Sequence, residues 1–415
     1  MLKTFGMTFG KTRGMTLAMT AAVLLAIGAT TAAAQQPPVR VGEISPYSAL
    51  PQGTEGYKKG WQLALEHVNA AGGVLGGRKL EFISRDSAGK PDDATRAAQE
   101  LLTSEKVDLL SGTLLSHVGV AVSDFAARNK VFFLAAQPLS DALIWEKGNR
   151  YTFRLRTSTY TLAQITVDAA AKLPAKRWAT IAPNYEYGQS AVASFKAALK
   201  AKRPDVEFIN EQWPALGKLE AGATVQALLA AKPDAIFNVT FGADLARFVR
   251  EGNLRGLFEN RAVVSLLTGE PEYLDPLKDE APKGWIVTGY PWYDIKEPAH
   301  VKFVSDYRAK YKDTPRLGSL MGYVSVQALA AILNKANSTD PEKLVAAARG
   351  LSFESAMGPI TFRAIDHQST MGTWVGKLDV KNGAGRMVDW HFADGKDFQP
   401  DDATVKKLRS ADAMK

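Results

Sequence analysis

Five histidines, at positions 67, 117, 300, 367 and 391, are the obvious candidates for acid–base or metal chemistry, and they stand too far apart for a metal-ligand spacing. Asp366-His367 form an adjacent acid–base pair, but no serine or threonine nucleophile stands beside them in a recognisable pattern. The chain has no cysteine, which excludes thiolate chemistry, Cys-ligated metals and disulfides. A phosphate loop of the form Gly-x4-Gly-Lys-Ser/Thr is absent, as is a Gly-x-Ser-x-Gly elbow. Asp86, Asp92 and Asp93 suit a solvated loop and a helix start, and Gly72-Gly73 with Gly76-Gly77 bracket a connection, not a phosphate cradle. The residues therefore point away from catalysis and imply no cofactor.

Residues suited to holding a small molecule are placed differently. They follow short apolar runs. Val107 to Leu110 runs into Ser111-Gly112-Thr113-Leu114-Leu115-Ser116-His117. Ser116 there suits either a helix cap or, with the free N–H groups of a helix start, a site for a carboxylate. His117 alone reads more readily as an exposed helix residue. Val131 to Ala135 runs into Ala136-Gln137-Pro138-Leu139-Ser140-Asp141. Trp178 to Ile181 runs into Pro183-Asn184-Tyr185-Glu186-Tyr187-Gly188-Gln189-Ser190, where two rings with hydroxyl handles suit a pocket wall or packing on a neighbouring helix. Phe241-Gly242 and Thr268-Gly269-Glu270 hold equivalent places, and Glu270 before Pro271 also suits a helix start. Trp292 and Tyr293 line a cleft or cover a hinge.

The elements that must position these loops are strands and helices in alternation. Val39 to Ile44 reads as a strand. Thr54 suits an N-cap for a helix with Tyr57, Trp61, Ala64, Leu65 and Val68 on one face, stopped by Gly72-Gly73. Strands at 80–83, 107–110 and 131–135 alternate with helices at 93–102 and 117–128. After Arg156 the pattern resumes, with helices at 161–172, 190–201, 222–231 and 243–252 and strands at 178–181, 206–209, 235–239 and 263–267. Alternation over nearly this whole stretch predicts parallel sheets covered on both faces, and so many strands suit two lobes better than one sheet. A strand at 285–288, helices at 298–311, 319–335 and 341–349, and a hairpin of 373–380 with 386–392 about Asn382-Gly383 complete the chain. The polar tail after Gly395 is expected on the surface. Open α/β sheets bind ligands beyond the carboxyl ends of their strands, which is where the loops above lie.

Residues 1–34 read as a cleaved export signal: Lys3, Lys11 and Arg13 precede any acid, an apolar core runs from Leu17 to Ala29, and Ala32-Ala33-Ala34 supplies small residues for cleavage near Ala34. The apolar core is shorter than the ~20 residues a membrane-spanning helix needs. Removing the segment lowers the formal charge from +8 to +5. The surplus is dispersed, so no nucleic-acid partner is indicated. With no cysteine to carry a lipid, the protein is expected free in the periplasm.

The chain resembles the branched-chain amino acid (Leu/Ile/Val-type) family of ABC-transporter solute-binding proteins. The pieces that carry the resemblance are Gly42-Glu43-Ile44-Ser45-Pro46, Gly60-Trp61-Gln62-Leu63-Ala64-Leu65-Glu66-His67-Val68-Asn69, Lys106-Val107-Asp108-Leu109-Leu110-Ser111-Gly112 and Tyr151-Thr152-Phe153-Arg154. Glu186-Tyr187-Gly188-Gln189-Ser190, Lys232-Pro233-Asp234-Ala235 and Gly322-Tyr323-Val324-Ser325-Val326-Gln327-Ala328-Leu329 follow in the same order. The resemblance implies an α/β fold of two doubly wound parallel-sheet lobes joined by three crossings. We expect residues 35–156 with 289–363 in the first lobe and 157–288 with 364–415 in the second.

It further implies that Ser116 and the Pro138–Ser140 loop, including Leu139, hold a ligand carboxylate. Tyr187 and Phe241 line the far lobe, and an acidic residue near 267–270 grips an α-ammonium. That last position falls on Leu267 without a gap and on Glu270 with one, and Gly53 stands where amino-acid binders often carry an aromatic. The expected ligand set is therefore Ser116, His117, Leu139, Ser140, Tyr187, Phe241, Glu270 and Tyr293. The ligand is a branched-chain or other amino acid, or alternatively an aromatic or aliphatic acid or amide without an ammonium. The expected partners are that solute and an inner-membrane ABC permease, with the protein a monomer. A ligand-sensing module or a secreted enzyme are the remaining, remoter classes.

Overall fold

The computed structural model describes residues 36–409, together with Gly6 and Gly10; the export signal expected over 1–34 lies outside the described residues. The first half alternates β1 (Val39–Ser45), α1 (Pro51–Ala70), β2 (Leu80–Asp86), α2 (Pro91–Thr103), β3 (Leu109–Gly112), α3 (Ser116–Asn129), β4 (Phe133–Ala135) and β5 (Thr152–Arg154). A second alternation follows: α4 (Thr159–Ala170), β6 (Arg177–Ile181), α5 (Glu186–Lys202), β7 (Glu207–Gln212), α6 (Ala221–Ala231), β8 (Ala235–Asn238), α7 (Gly242–Leu254), β9 (Ala262–Gly269), α8 (Pro271–Leu274) and β10 (Ile286–Gly289). Then come α9 (Pro298–Tyr311), α10 (Leu317–Ala336), α11 (Pro341–Ala348), β11 (Ser352–Ser355), β12 (Gly358–Thr361), β13 (Thr373–Lys381), β14 (Ala384–Ala393) and α12 (Asp402–Leu408).

Two sheets result. The first is β2-β1-β3-β4-β5, all parallel. The second is β14-β13-β10-β9-β8-β6-β7, whose last five strands are parallel and whose β13–β14 hairpin adds antiparallel at one edge. The parallel parts share one winding order: β1 and β6 each run beside the strand that follows them and beside the next one on the other side. That gives each sheet a switch point, between β1 and β3 and between β6 and β8, where helices leave toward opposite faces. Strands buried on both faces need apolar side chains throughout, and Leu109-Leu110, Phe133-Leu134-Ala135 and Ala235-Ile236-Phe237 supply them with no exposed residue.

The chain passes from the first sheet to the second after β5 and comes back after β10, where α10 packs along α1. It crosses again between β12 and β13. The first and third passages run side by side. Arg154 pairs with Gln368 in an isolated parallel bridge, its N–H donates to His367 O at 3.1 Å, and Ser369 N donates to Arg154 O at 3.0 Å.

Several sequence expectations are corrected. Thr54 caps nothing. The helix begins earlier, at Pro51, and Thr54 Oγ1 donates back to Leu50 O at 2.9 Å. Ser116 is the first residue of its helix, not its cap. The tail after Gly395 is not simply exposed: Val405 and Arg409 are buried, and Arg409 Nη2 donates to Asn149 O at 3.0 Å. The Asn382-Gly383 hairpin forms as expected, with positive φ at both turn residues, 53° and 73°.

Candidate functional site

Loops from the carboxyl ends of both sheets meet around one cavity. The first lobe contributes Leu114, Leu115 and Ser116 after β3, Gln137 and Leu139 after β4, and Arg156 after β5. The second contributes Tyr185 and Tyr187 after β6, Phe241 after β8, and Leu267 and Tyr273 around the end of β9. The β3, β6 and β8 loops flank the two switch points, where diverging helices leave room for a ligand.

Ser116 is 1% exposed, and its Oγ accepts the N–H groups of Leu139 at 3.2 Å and Ser140 at 3.1 Å. Its own O–H remains to donate into the cavity, beside the first N–H groups of α3, which have no carbonyl partner within the helix. Two more buried polar atoms of the cavity wall, Gln137 Nε2 and the Tyr187 hydroxyl, have no hydrogen-bond partner among the described residues. A buried polar group without a partner is costly, so these two atoms point to a ligand that completes them.

The wall of the second lobe is aromatic. His117, Tyr185, Tyr187, Phe241 and Tyr273 form a chain of ring contacts with centroids 5.3, 6.1, 5.9 and 5.8 Å apart. These tilted and edge-on arrangements are the ones ring quadrupoles favour. Burial raises the pKa of Tyr185, Tyr187 and Tyr273, so all three present neutral hydroxyls. Gly53 lies opposite, and a Cβ built there would sit 3.6 Å from the Tyr273 hydroxyl. The aromatic expected at position 53 is thus replaced by one from the other lobe.

Glu270 is 2% exposed and is closed by an ion pair from Arg156 Nη2. Burial pushes its carboxyl up to about 8, with Glu272 adding to the rise and Arg156 opposing it. Glu270 lines a second cavity, and Arg156 and Leu267 line both. Leu267 takes φ of +66°, and β9 slips register against β10 between Val287 and Gly289. The backbone irregularity therefore falls where the resemblance needs its gap.

Of the residues expected from sequence, Ser116, Leu139, Tyr187 and Phe241 share the cavity wall, and Glu270 stands behind it on Arg156. His117 lies behind Tyr185, with Nε2 donating to Gly89 O at 3.2 Å and burial lowering its pKa. Ser140 turns its hydroxyl to Glu186 Oε1 at 2.6 Å, across the lobes. Tyr293 is elsewhere: its hydroxyl bonds Met387 on β14, Arg386 lies 4.3 Å over its ring, and it lines a separate surface pocket. Arg156, Gln137, Tyr185 and Tyr273 escaped the sequence analysis as site residues, although Gln137 and Tyr185 sat in the loops it singled out. Asp366 and His367 lie at the side-by-side passages: Asp366 accepts from Trp145 Nε1 at 3.2 Å, and His367 stacks on Phe153 at 4.0 Å. Among the described residues, no group of three or more His, Asp or Glu side chains could hold a metal.

Two parallel sheets wound alike, with aromatic and hydrogen-bonding loops converging between them, define a two-lobed solute-binding fold. The chain belongs to the periplasmic binding protein family, whose model matches residues 38–384. It is 24% identical over 405 residues to "Leu/Ile/Val-binding protein homolog 8" of Brucella melitensis biotype 1, covering 93% of this chain and 96% of that one. A solved solute-binding protein of an ABC transporter from Rhodopseudomonas palustris BisB5, in complex with 3,4-dihydroxybenzoic acid, superposes with a TM-score of 0.77 at 23% identity, over 86% of this chain and 98% of that chain. An amino acid ABC transporter substrate-binding protein from Pseudomonas fluorescens Pf-5 superposes with a TM-score of 0.78 at 22% identity, over 89% and 98%.

Proposed function

We propose that this protein captures a small carboxylic acid between its lobes, in the periplasm, and presents it to an inner-membrane ABC permease. The observation that carries the reading is the cavity where both sheets' strand ends meet, walled by rings on one side and by Ser116, Gln137 and Arg156 on the other. The protein acts as a monomer without a cofactor, is exported by cleavage near Ala34, and makes or breaks no bond. In support of the last point, Ser116 has backbone N–H groups on its Oγ rather than a base.

The acid is favoured over an amino acid because Glu270 already has a cation. A site awaiting an ammonium keeps an unpaired carboxylate, whereas this one is neutralised by Arg156. Of the two solved structures named above, one is in complex with 3,4-dihydroxybenzoic acid and the other is an amino acid ABC transporter substrate-binding protein, and the ion pair sides with the first. We assign residues 35–156 with 289–363 to one lobe and 157–288 with 364–415 to the other. Calorimetric titration with leucine, benzoate, 4-hydroxybenzoate, 3,4-dihydroxybenzoate and benzamide tests the reading. We expect one of the acids to bind most tightly. Leucine as the tightest ligand would return the protein to amino acid transport, and binding of benzamide alone would remove the carboxylate.

A further inference from the structure

Arg156 is the one cation on the cavity wall. It is 7% exposed, and apart from the Nη2 bond to Glu270 its side chain makes no hydrogen bond among the described residues. A guanidinium can hold two carboxylate oxygens side by side, and here the carboxyl engages it through a single nitrogen. Half of its binding face is thus uncommitted, on a wall that also carries the Ser116 O–H and the unpartnered Gln137 Nε2.

We propose that Arg156 is the anion anchor of this cavity and that Glu270 is its displaceable counter-ion, which yields the guanidinium to the solute's carboxylate. The proposal rests on the carboxylic-acid reading above and gives that site its head-group chemistry.

Charge balance dictates what happens to Glu270. Above about pH 8, where Glu270 is ionised, the pair alone is neutral. A second carboxylate on the same guanidinium leaves one buried negative charge without a partner, which costs several kcal/mol in a desolvated site. The relief is a proton on Glu270, taken from solvent. Its neighbours favour that outcome: Glu272 is a second carboxylate, the Tyr187 and Tyr273 hydroxyls are neutral, and Arg156 is the cation that faces it. Burial already places the carboxyl at about 8. Below that pH the proton is in place and the acid binds without taking one up. Above it, each binding event must bring a proton, so affinity falls as pH rises. A zwitterionic amino acid behaves oppositely, because its ammonium needs an ionised Glu270, so its binding releases a proton below about pH 8.

The test is benzoate titration between pH 6 and 9.5, in two buffers of different ionisation enthalpy. For the unaltered protein we expect flat affinity and no proton uptake below pH 7. Above pH 8.5 the affinity should fall roughly tenfold per pH unit, with uptake approaching one proton, as linkage requires. Glu270→Gln removes the titrating group and leaves Arg156 charged, so its benzoate affinity should be constant from pH 6 to 9.5 with no proton uptake. Arg156→Gln should lose more than about a hundredfold at every pH, the scale for removing a charged partner from a buried carboxylate. If Arg156→Gln does not fold, the Glu270→Gln profile decides by itself. Benzoate affinity independent of pH in the unaltered protein, or lost in Glu270→Gln, overturns the anchor and leaves the acid reading standing. Absence of binding by any acid overturns both.

Discussion

The Ser116 hydroxyl accepts the backbone N–H groups of Leu139 and Ser140 and keeps its own proton for the cavity, so it has two duties. Ser116→Ala leaves two buried N–H groups unpaired and removes one donor to the solute. Each orphaned group costs about 1–3 kcal/mol, and a hydrogen bond to a charged partner contributes about 1.5–3 kcal/mol. We expect both a lowered unfolding midpoint in urea and at least tenfold weaker binding of the acid. Weakened binding with unchanged stability would show that the Leu139 and Ser140 contacts contribute little. At this scale the sequence was legible where a residue's type and loop position agreed, as for Ser116, Tyr187 and Phe241. Arg156 was missed because an arginine two residues after Arg154, at the end of a short apolar stretch, reads as a surface charge until the fold buries it. Tyr293 was misplaced for the opposite reason: its neighbours in the chain lead toward the cavity, but the β13–β14 edge draws its hydroxyl to Met387. Tyr273 could not be found locally, since only the meeting of the lobes brings it opposite Gly53.

Helices α1 and α10 approach closely because two glycines face the partner backbone. A Cβ at Gly60 would stand 1.9 Å from Ser319 O, and one at Gly322 would stand 2.2 Å from Tyr57 O. The buried face between them includes Tyr57, Trp61, Leu320 and Val324. Gly322→Ala must push the helices apart, against an overpacking cost of about 1–3 kcal/mol that its better helix propensity offsets by about 1 kcal/mol. The expected result is a lower thermal midpoint with ligand affinity little changed, because the contact lies away from the cavity lining; a raised midpoint would contradict it. Both glycines sat within the family pieces, but nothing in their spacing told a close approach from a loose one. Element types were legible because hydrophobic period and punctuation agree along the chain. Boundaries were less so: Pro51 started α1 ahead of the expected cap, and the three-residue β5 offered no period to read.

At the scale of the whole molecule, contacts that involve no solute bridge the two proposed lobes. Glu272, on α8 of the second lobe, accepts the N–H groups of Leu317 at 3.0 Å and Gly318 at 2.9 Å, the first residues of α10 in the first lobe. A carboxylate at a helix N-terminus meets free N–H groups and the positive end of the dipole, and here it is 4% exposed. Gln52 Nε2 donates to Glu272 O at 2.5 Å from the start of α1, and nearer the crossings Asp141 accepts the Ser194 hydroxyl at 2.8 Å. Such contacts favour the closed form by their own free energy, and the solute adds only its preference for closed over open. Glu272→Ala removes two charge-assisted hydrogen bonds, so the closed form should weaken by about 3 kcal/mol or more. Apparent affinity scales with the fraction of binding-competent protein, so a shift of that size lowers it by up to about a hundredfold, the full factor where the open form already dominates and less where the closed form is in excess. Small-angle scattering should give a larger radius of gyration for Glu272→Ala alone than for the unaltered protein, and saturating acid should restore the compact value. The faster step in the variant should be dissociation, since the lost contacts exist only after closure. An unchanged radius together with unchanged dissociation would mean that Glu272 caps α10 without holding the lobes, and that closure is governed from the crossings at 154–158 and 367–372.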